Sequence, residues 1–446
     1  MSLPLEEWLD NHSITEVECL VSDMAGIPRG KIVPVNKFRA ALNDRNLRLP
    51  EYVFGQMVTG DYVDSEVLGE TISDIILIPD PSSVRLVPWY SEPTAQIIHD
   101  AIYYDGSIVH VSPRQTLKAV IERFEAMNLI PIIAPELEFF LVRKEKEADT
   151  PLSPPIGRSG RAEMAPQAYG IDAVNEFDPL FEDIYDFCEA QNLDVDTLSH
   201  ESGAAQMEIN FNHGEAMSLT DQAFLFKRTV RQAAVNHDVH ATFMAKPMQK
   251  QPGSAMHIHV SLIDRETGLN IFSNSDGEAS ERFYHALGGM QKYLPAAMPL
   301  MAPYVNSYRR LLSGVDSPTN LAWGVDNRTV GLRVPRGEPT HRRIENRIPG
   351  ADANPYLAVA ATLAAVLLGL EKKCTPKKEL TKSGEDLTTI PRNLDVALDA
   401  LAKEADLHDV LGKQFVTVFD EVKRAENQAY LQVISPWERE YLLLNV

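Results

Sequence analysis

Through the first hundred positions apolar residues alternate with polar ones or gather in short runs, a pattern that predicts strands. The clearest are Val17-Glu18-Cys19-Leu20-Val21-Ser22 and Lys31-Ile32-Val33-Pro34-Val35, separated by a Gly/Pro turn around Gly26 to Gly30. The period changes at Ser112-Pro113. There Ser suits a helix cap, Pro suits the first turn, and Leu117, Val120, Ile121 and Phe124 recur at helical spacing. A domain boundary is therefore expected near residue 110. Beyond it come a strand-like run from Leu129 to Val142 and a polar stretch from Lys144 to Gln167, rich in Pro, Gly and charge, which reads as a surface loop. Further strands (Gln206 to Phe211, Ala255 to Leu262, Val330 to Val334) then alternate with long helices (Ser218 to His237, Asn354 to Leu370). The pattern describes an α+β protein, with a small N-terminal domain before a larger one and neither repeats nor low-complexity segments.

The longest apolar stretch, Leu357 to Leu370, is interrupted by Thr362 and Gly369 and is too short to cross a bilayer, so it reads as a buried helix. Acidic residues stand at Glu6 and Glu7, where a secretory leader would carry positive ones, and a cytoplasmic protein is expected. A length of 446 residues with 44% hydrophobic and 24% charged residues permits a sizeable core. The net charge of −21 argues against general affinity for nucleic acid or anionic membranes, because phosphate binding needs a basic surface. Cys19, Cys188 and Cys374 lie far apart without metal-ligand spacing and read as reduced structural thiols.

Three constellations carry chemistry. In Ala134-Pro135-Glu136-Leu137-Glu138-Phe139-Phe140-Leu141, two carboxylates at i and i+2 of a strand share a face, which requires either water or a cation to offset their repulsion. Glu201 and Glu208 add carboxylates nearby in sequence. In Gly253-Ser254-Ala255-Met256-His257-Ile258-His259-Val260-Ser261, His257, His259 and Ser261 alternate with apolar residues, so one strand face is lined with potential ligands. Oxygen-rich sites with one imidazole suit Mg²⁺ or Mn²⁺ better than zinc. The third constellation is arginine-rich, around Arg309-Arg310, Arg328, Arg333, and Arg342-Arg343-Ile344-Glu345-Asn346-Arg347. Taken singly these arginines also fit structural ion pairs. Together with the carboxylates and histidines they point to metal-assisted phosphoryl transfer.

These motifs, in this order and over nearly the whole chain, resemble the glutamine synthetase superfamily. The matching segments are 134–141, Lys246-Pro247 with Gly253 to His259, Asn306 to Arg310, Asn327-Arg328, Arg343 to Arg347, and Ala353 to Leu357. The resemblance implies an N-terminal β-grasp domain (1–110) and a catalytic domain (111–446). It implies two or more Mg²⁺ or Mn²⁺ ions per site, one held by Glu138, Glu201 and Glu208 and another by Glu136, His257 and Glu345. It implies ATP contacts from His259, Ser261, Arg328, Arg333 and Arg343, glutamate contacts from Gly253, Arg310 and Arg347, and catalytic roles for Arg328 and Asp316. A homododecamer with sites between subunits, and a γ-glutamyl phosphate intermediate, belong to the same implication.

The chain departs from ammonia-using members where they carry Asp-Gly-Ser-Ser to bind ammonium. Here the stretch reads Val53-Phe54-Gly55-Gln56-Met57-Val58, although Asp61, Asp64 or Glu66 offers a carboxylate in a shifted register. The flap acid, usually Glu, is Asp316, and the residue before Gly253, usually Asn, is Pro252. No tyrosine lies between Tyr356 and Tyr430, so control by tyrosine adenylylation is not expected. These departures suit a bulkier amine, as in the γ-glutamylpolyamine and γ-glutamylputrescine synthetase branch, acting in polyamine catabolism on putrescine, another polyamine or a monoamine. A true glutamine synthetase and a catalytically silent scaffold or regulatory homologue are the alternatives.

Overall fold

The structure, a computed structural model, describes residues 4–69, 73–147, 149–312, 317–381 and 389–446. Six strands form the first sheet: β1 (Glu16–Ser22), β2 (Pro28–Pro34), β3 (Arg48–Pro50), β4 (Asp74–Pro79), β5 (Arg85–Leu86) and β6 (Thr94–Ile102). Their order is β2-β1-β6-β4-β3, with β5 on β6. The β1–β6 pair is parallel and the others are antiparallel.

The second sheet has nine strands. They are β7 (Leu129–Arg143), β8 (Val195–His200), β9 (Gln206–Phe211), β10 (Gly214–Glu215), β11 (Val239–Thr242), β12 (Met256–Asp264), β13 (Trp323–Val325), β14 (Leu332–Val334) and β15 (Ile344–Asn346). The order is β13-β14-β15-β12-β7-β9-β8, with β10 and β11 on β7. The strand expected over 330–334 begins only at Leu332, because Arg328 and Thr329 form a turn. Ser112 precedes the helix Pro113–Ala126 as expected, but its side chain makes no capping hydrogen bond.

The helix Pro355–Glu371 is buried at every position from Pro355 to Leu370. Asn354 starts it by accepting from the Tyr356 N–H at 3.0 Å, and Pro355 occupies the first turn, where a missing N–H costs nothing. It packs against the helix Glu281–Met301 at a crossing of two glycines. A Cβ on Gly289 would come within 2.4 Å of the Gly369 Cα. Larger residues there would force these two core helices apart. Among the described residues no helix is long and apolar enough to cross a membrane.

The two sheets are tied together by charge as well as by apolar packing. Arg114, 1% exposed, reaches Asp80 at the end of β4 (2.6 Å), Asp100 on β6 (2.7 Å) and Asp221 on the helix Ala216–Asn236 (2.8 and 2.9 Å). Tyr356 donates to the same Asp221 at 2.6 Å. Burial opposes the arginine's charge, but Asp221 and its neighbours outweigh burial and raise its pKa. Arg228 forks onto Glu18 of β1, and the Asn354 amide donates to Ser22 and to the Asp23 carbonyl. Arg114→Met is therefore expected to destabilise the fold by about 3–5 kcal/mol, the usual loss when a buried carboxylate is stripped of its partner. Denaturant unfolding followed by tryptophan fluorescence measures it, and a loss below about 1 kcal/mol would show that the arginine does not join the two sheets.

Candidate active site

The strand register assembles the site. Glu136 and Glu138 lie two apart on β7, and direct cross-strand pairing sets Glu138 opposite Glu208 of β9 and Glu136 opposite His257 of β12. His259 then pairs with Glu345 of β15, Glu345 with Arg333 of β14, and Ser261 with Ile132. Paired residues share a face, so the polar residues line one side of the sheet while Leu137, Phe139 and Leu141 enter the core on the other. This is the hydrophobic and polar alternation of the sequence made into a site.

One ligand atom from each of Glu136, His257 and Glu345 lies within 4.8 Å of the others, and the same holds for Glu138, Glu208 and His257. The electrostatics are those of a face short of positive charge. Burial, then the charge of Glu201, raises the Glu138 carboxyl to about 7. Burial, then Glu136, Glu138 and Glu201, raises Glu208 to about 9. Burial also opposes ionisation of Glu136, but hydrogen bonds from His257 (3.2 Å) and His259 (2.8 Å) hold it well below the usual carboxylate range. The Nε2 of His257 is buried without a hydrogen-bond partner among the described residues. An orphaned imidazole nitrogen beside carboxylates that resist joint ionisation fits a divalent cation, and the oxygen-rich donor set fits Mg²⁺ or Mn²⁺. Glu201, which follows β8, is near enough to raise both Glu138 and Glu208, yet the compact triad takes His257 in its place.

The arginines surround this face. Arg333 donates to Glu345 at 2.7 Å, and Arg347 bonds its other oxygen. Arg343 bonds His259 at 3.2 Å. Arg328 is exposed on the turn before β14, within 3.4 Å of the Tyr169 hydroxyl. Gly253, Arg310 and Arg347 converge: a Cβ on Gly253 would lie 2.5 Å from the Arg310 Cγ, so only glycine admits that side chain. The buried Arg310 guanidinium donates to the carbonyls of Ile348 (2.8 Å) and Arg347 (3.0 Å). Asp316 lies outside the described residues.

Other residues escaped the sequence reading. Gln206 donates to Glu138 (3.3 Å) and to the Gly253 carbonyl (3.0 Å), linking the carboxylate face to the Gly253 loop. The polar stretch from Lys144 to Gln167 is an irregular, largely exposed loop as expected, but it also touches the site: Glu163 accepts from the Ala205 N–H (2.9 Å) and bonds His200 (3.0 Å), which precedes Glu201, and just beyond it Tyr169 meets Arg328. Glu163 within the loop and Tyr169 just after it carried no signal beyond their residue type.

The family description "Glutamine synthetase, catalytic domain" matches residues 110–442. The chain is 34% identical to gamma-glutamylputrescine synthetase PuuA of Escherichia coli (strain K12), covering 99% of this chain and 94% of that one. It is 33% identical to a glutamine synthetase of Halobacterium salinarum (90% of each chain), and 30% identical to glutamate–isopropylamine ligase of a Pseudomonas species (98% and 96%). A solved structure described as apo GmaS without ligand superposes with a TM-score of 0.86 at 27% identity, covering 99% of both chains.

If the carboxylate face holds divalent ions, Glu138→Ala and Glu208→Gln should each weaken Mn²⁺ binding by at least about tenfold, the loss typical even of a ligand's supporting partners. Titration followed by electron paramagnetic resonance, without nucleotide, reads this directly. Unchanged affinity in both variants would remove these residues from metal binding.

Proposed function

Because the chain belongs to the glutamine synthetase family and is an ATP-dependent ligase of that family, we propose that it joins an organic amine, putrescine, another polyamine or a monoamine, to the γ-carboxylate of glutamate. The observation that carries the choice of amine is the stretch Val53 to Val58, which offers no carboxylate where ammonia-using members carry one. The similarity to a gamma-glutamylputrescine synthetase and to a glutamate–isopropylamine ligase supports it. Asp61, Asp64 and Glu66, on the loop that follows, are exposed and available to the distal ammonium of a diamine.

In this reading, Gly253, Arg310 and Arg347 bind glutamate, while His259, Ser261, Arg328, Arg333 and Arg343 bind ATP. Glu136, Glu138, Glu201, Glu208, His257 and Glu345 would hold two or more Mg²⁺ or Mn²⁺ ions, whose charge would offset that of the triphosphate. The γ-carboxylate attacks the γ-phosphorus of ATP, releasing ADP and forming γ-glutamyl phosphate. Activation is needed because a carboxylate is a poor electrophile. The amine then attacks the acyl carbon, phosphate leaves, and Asp316 takes the proton the nitrogen loses. Arg328, at the rim, stabilises charge on the transferring phosphoryl group.

Residues 1–110 act as a β-grasp domain and 111–446 as the catalytic domain. The protein works in the cytoplasm as a homododecamer with sites between subunits. Exposed apolar side chains at Ile434, Trp437, Leu443 and Leu444 support contact with another copy, since a surface patch of this kind calls for a cover. A true glutamine synthetase is the second reading, favoured by the Halobacterium relative. A silent scaffold is disfavoured by the retained cluster of buried carboxylates, which costs stability unless a cation uses it.

Phosphate release from ATP with glutamate and Mg²⁺, supplied with ammonium, ethylamine, putrescine or spermidine as the only amine, tests the reading. Turnover with an organic amine well above that with ammonium is expected. Preference for ammonium means a glutamine synthetase, and no turnover with any amine means the silent homologue. Asp316→Ala should depress amide formation far more than ATP binding measured by calorimetry, and equal losses in both would count against its role as proton acceptor.

A further inference from the structure

A second cavity, of about 360 Å³, lies away from the carboxylate face, between the Ala25-Gly26-Ile27 turn of the N-terminal sheet and the helix Ala216–Asn236. That is the size range of small-molecule sites. Much of its wall is apolar, with Ile27, Val58, Phe243 and Met244, but three charged side chains also line it: Lys227, Arg231 and Asp352. Two cations against one anion leave one net positive charge, in a chain whose total is −21.

Among the described residues neither cation forms an ion pair. The Lys227 side chain, 6% exposed, donates to the carbonyls of Ala351 (2.7 Å) and Ala353 (2.9 Å). An ammonium has three N–H groups, so one remains. Burial, then the charge of Arg231, pulls Lys227 down to about 7. Arg231 is exposed at the cavity's edge. Its guanidinium rests 5.2 Å from the Phe243 ring and forms no ion pair among the described residues. Asp352 accepts from Ser307 at 2.6 Å through one oxygen, its other oxygen is buried without a hydrogen-bond partner among the described residues, and burial raises its pKa. A buried ammonium and a forked guanidinium line one largely apolar pocket, and among the described residues neither forms an ion pair with Asp352 or any other carboxylate, which makes them a receptor for a carboxylate.

We propose that this cavity binds a small organic monocarboxylate, its carboxylate on Arg231 and Lys227 and its apolar body on Phe243 and Met244. The single negative charge balances the wall, and the carboxylate restores to Lys227 the partner that burial denies it. The site is joined to the catalytic face through one segment of backbone. The carbonyls of Arg347 and Ile348 are held by Arg310, and those of Ala351 and Ala353, a few residues on, by Lys227.

Calorimetric titration of the full-length protein with 4-methylpentanoate, its neutral isostere 4-methylpentanamide, and inorganic phosphate tests the proposal. The carboxylate is expected to bind with a stoichiometry of one per chain, and the amide about tenfold more weakly or not at all. Arg231→Met should weaken the carboxylate by a similar factor while leaving the melting temperature of the free protein unchanged, and Arg231→Lys should retain most of the binding. Equal binding of acid and amide, or full affinity in Arg231→Met, overturns the site. Tighter binding of phosphate than of the carboxylate overturns the ligand class. Displacement of the probe by saturating glutamate overturns it as well, because the probe would then occupy the catalytic face. No outcome depends on turnover, so failure here is distinct from failure of the ligase reading.

Discussion

Repulsion among carboxylates is the constraint around which the molecule is arranged. Glu136 and Glu138 project from the same face of β7 because strand geometry repeats every two residues, and Glu208 and Glu345 are brought beside them by the pairing of β9, β12 and β15. Removing such groups from water costs far more than a protein of ordinary stability can spare unless positive charge meets them. The fold meets them in two ways. Glu345 is gripped by Arg333 and Arg347, and Glu136 by two histidines. Glu138 and Glu208 are left without comparable cations, and their carboxyls are held near neutral or above. The face is thus settled on the β15 side and unsettled on the β9 side, where a divalent ion has most to contribute.

Charge also fixes the other end of the catalytic unit. Arg114 gathers carboxylates from β4, β6 and the helix Ala216–Asn236 around one guanidinium, and the Tyr356 hydroxyl completes the group. The helix that begins at Pro355 therefore starts from a fixed point shared by both sheets, and the loop from Arg347 to Asn354 is stretched between that point and β15. Arg310 and Lys227 pin this loop through four of its carbonyls, those of Arg347, Ile348, Ala351 and Ala353.

Much of this architecture was legible in the sequence, for a physical reason. Strands with one polar face announce themselves by alternation, and the runs at 129–142, 206–211 and 255–262 became β7, β9 and β12 with shifts of only one or two residues. The uniformly apolar helix was equally plain. What alternation cannot convey is how a structureless polar segment folds. Glu163 and Tyr169 carry no periodic signal, yet they reach His200 and Arg328. Lys227 left a faint sign, a cation directly after the apolar run Ala223-Phe224-Leu225-Phe226, but helical spacing does not say which carbonyls it will meet. The roles assigned to individual ligands came from family resemblance, whereas their shared face followed from the pattern itself. The short β14 shows the opposite failure, in which an apolar run was cut by a turn at Arg328 and Thr329.

The order of strands in the second sheet has a consequence for how the chain comes together. β7 sits between β12 and β9, and β15 attaches to β12, so the carboxylate face draws on residues from 136 to 345. During synthesis Glu136 and Glu138 emerge long before His257, and Arg333, Glu345 and Arg347 come later still. A nascent chain can form the first sheet, complete by Ile102, while β7 waits for its inner partner. Contacts of such sequence separation close slowly. Until β12 arrives, β7 exposes an unpaired edge whose two glutamates act as a guard, since charge on an open strand discourages pairing with a neighbouring chain. The carboxylates that burden the finished fold are thus the ones that protect the unfinished one.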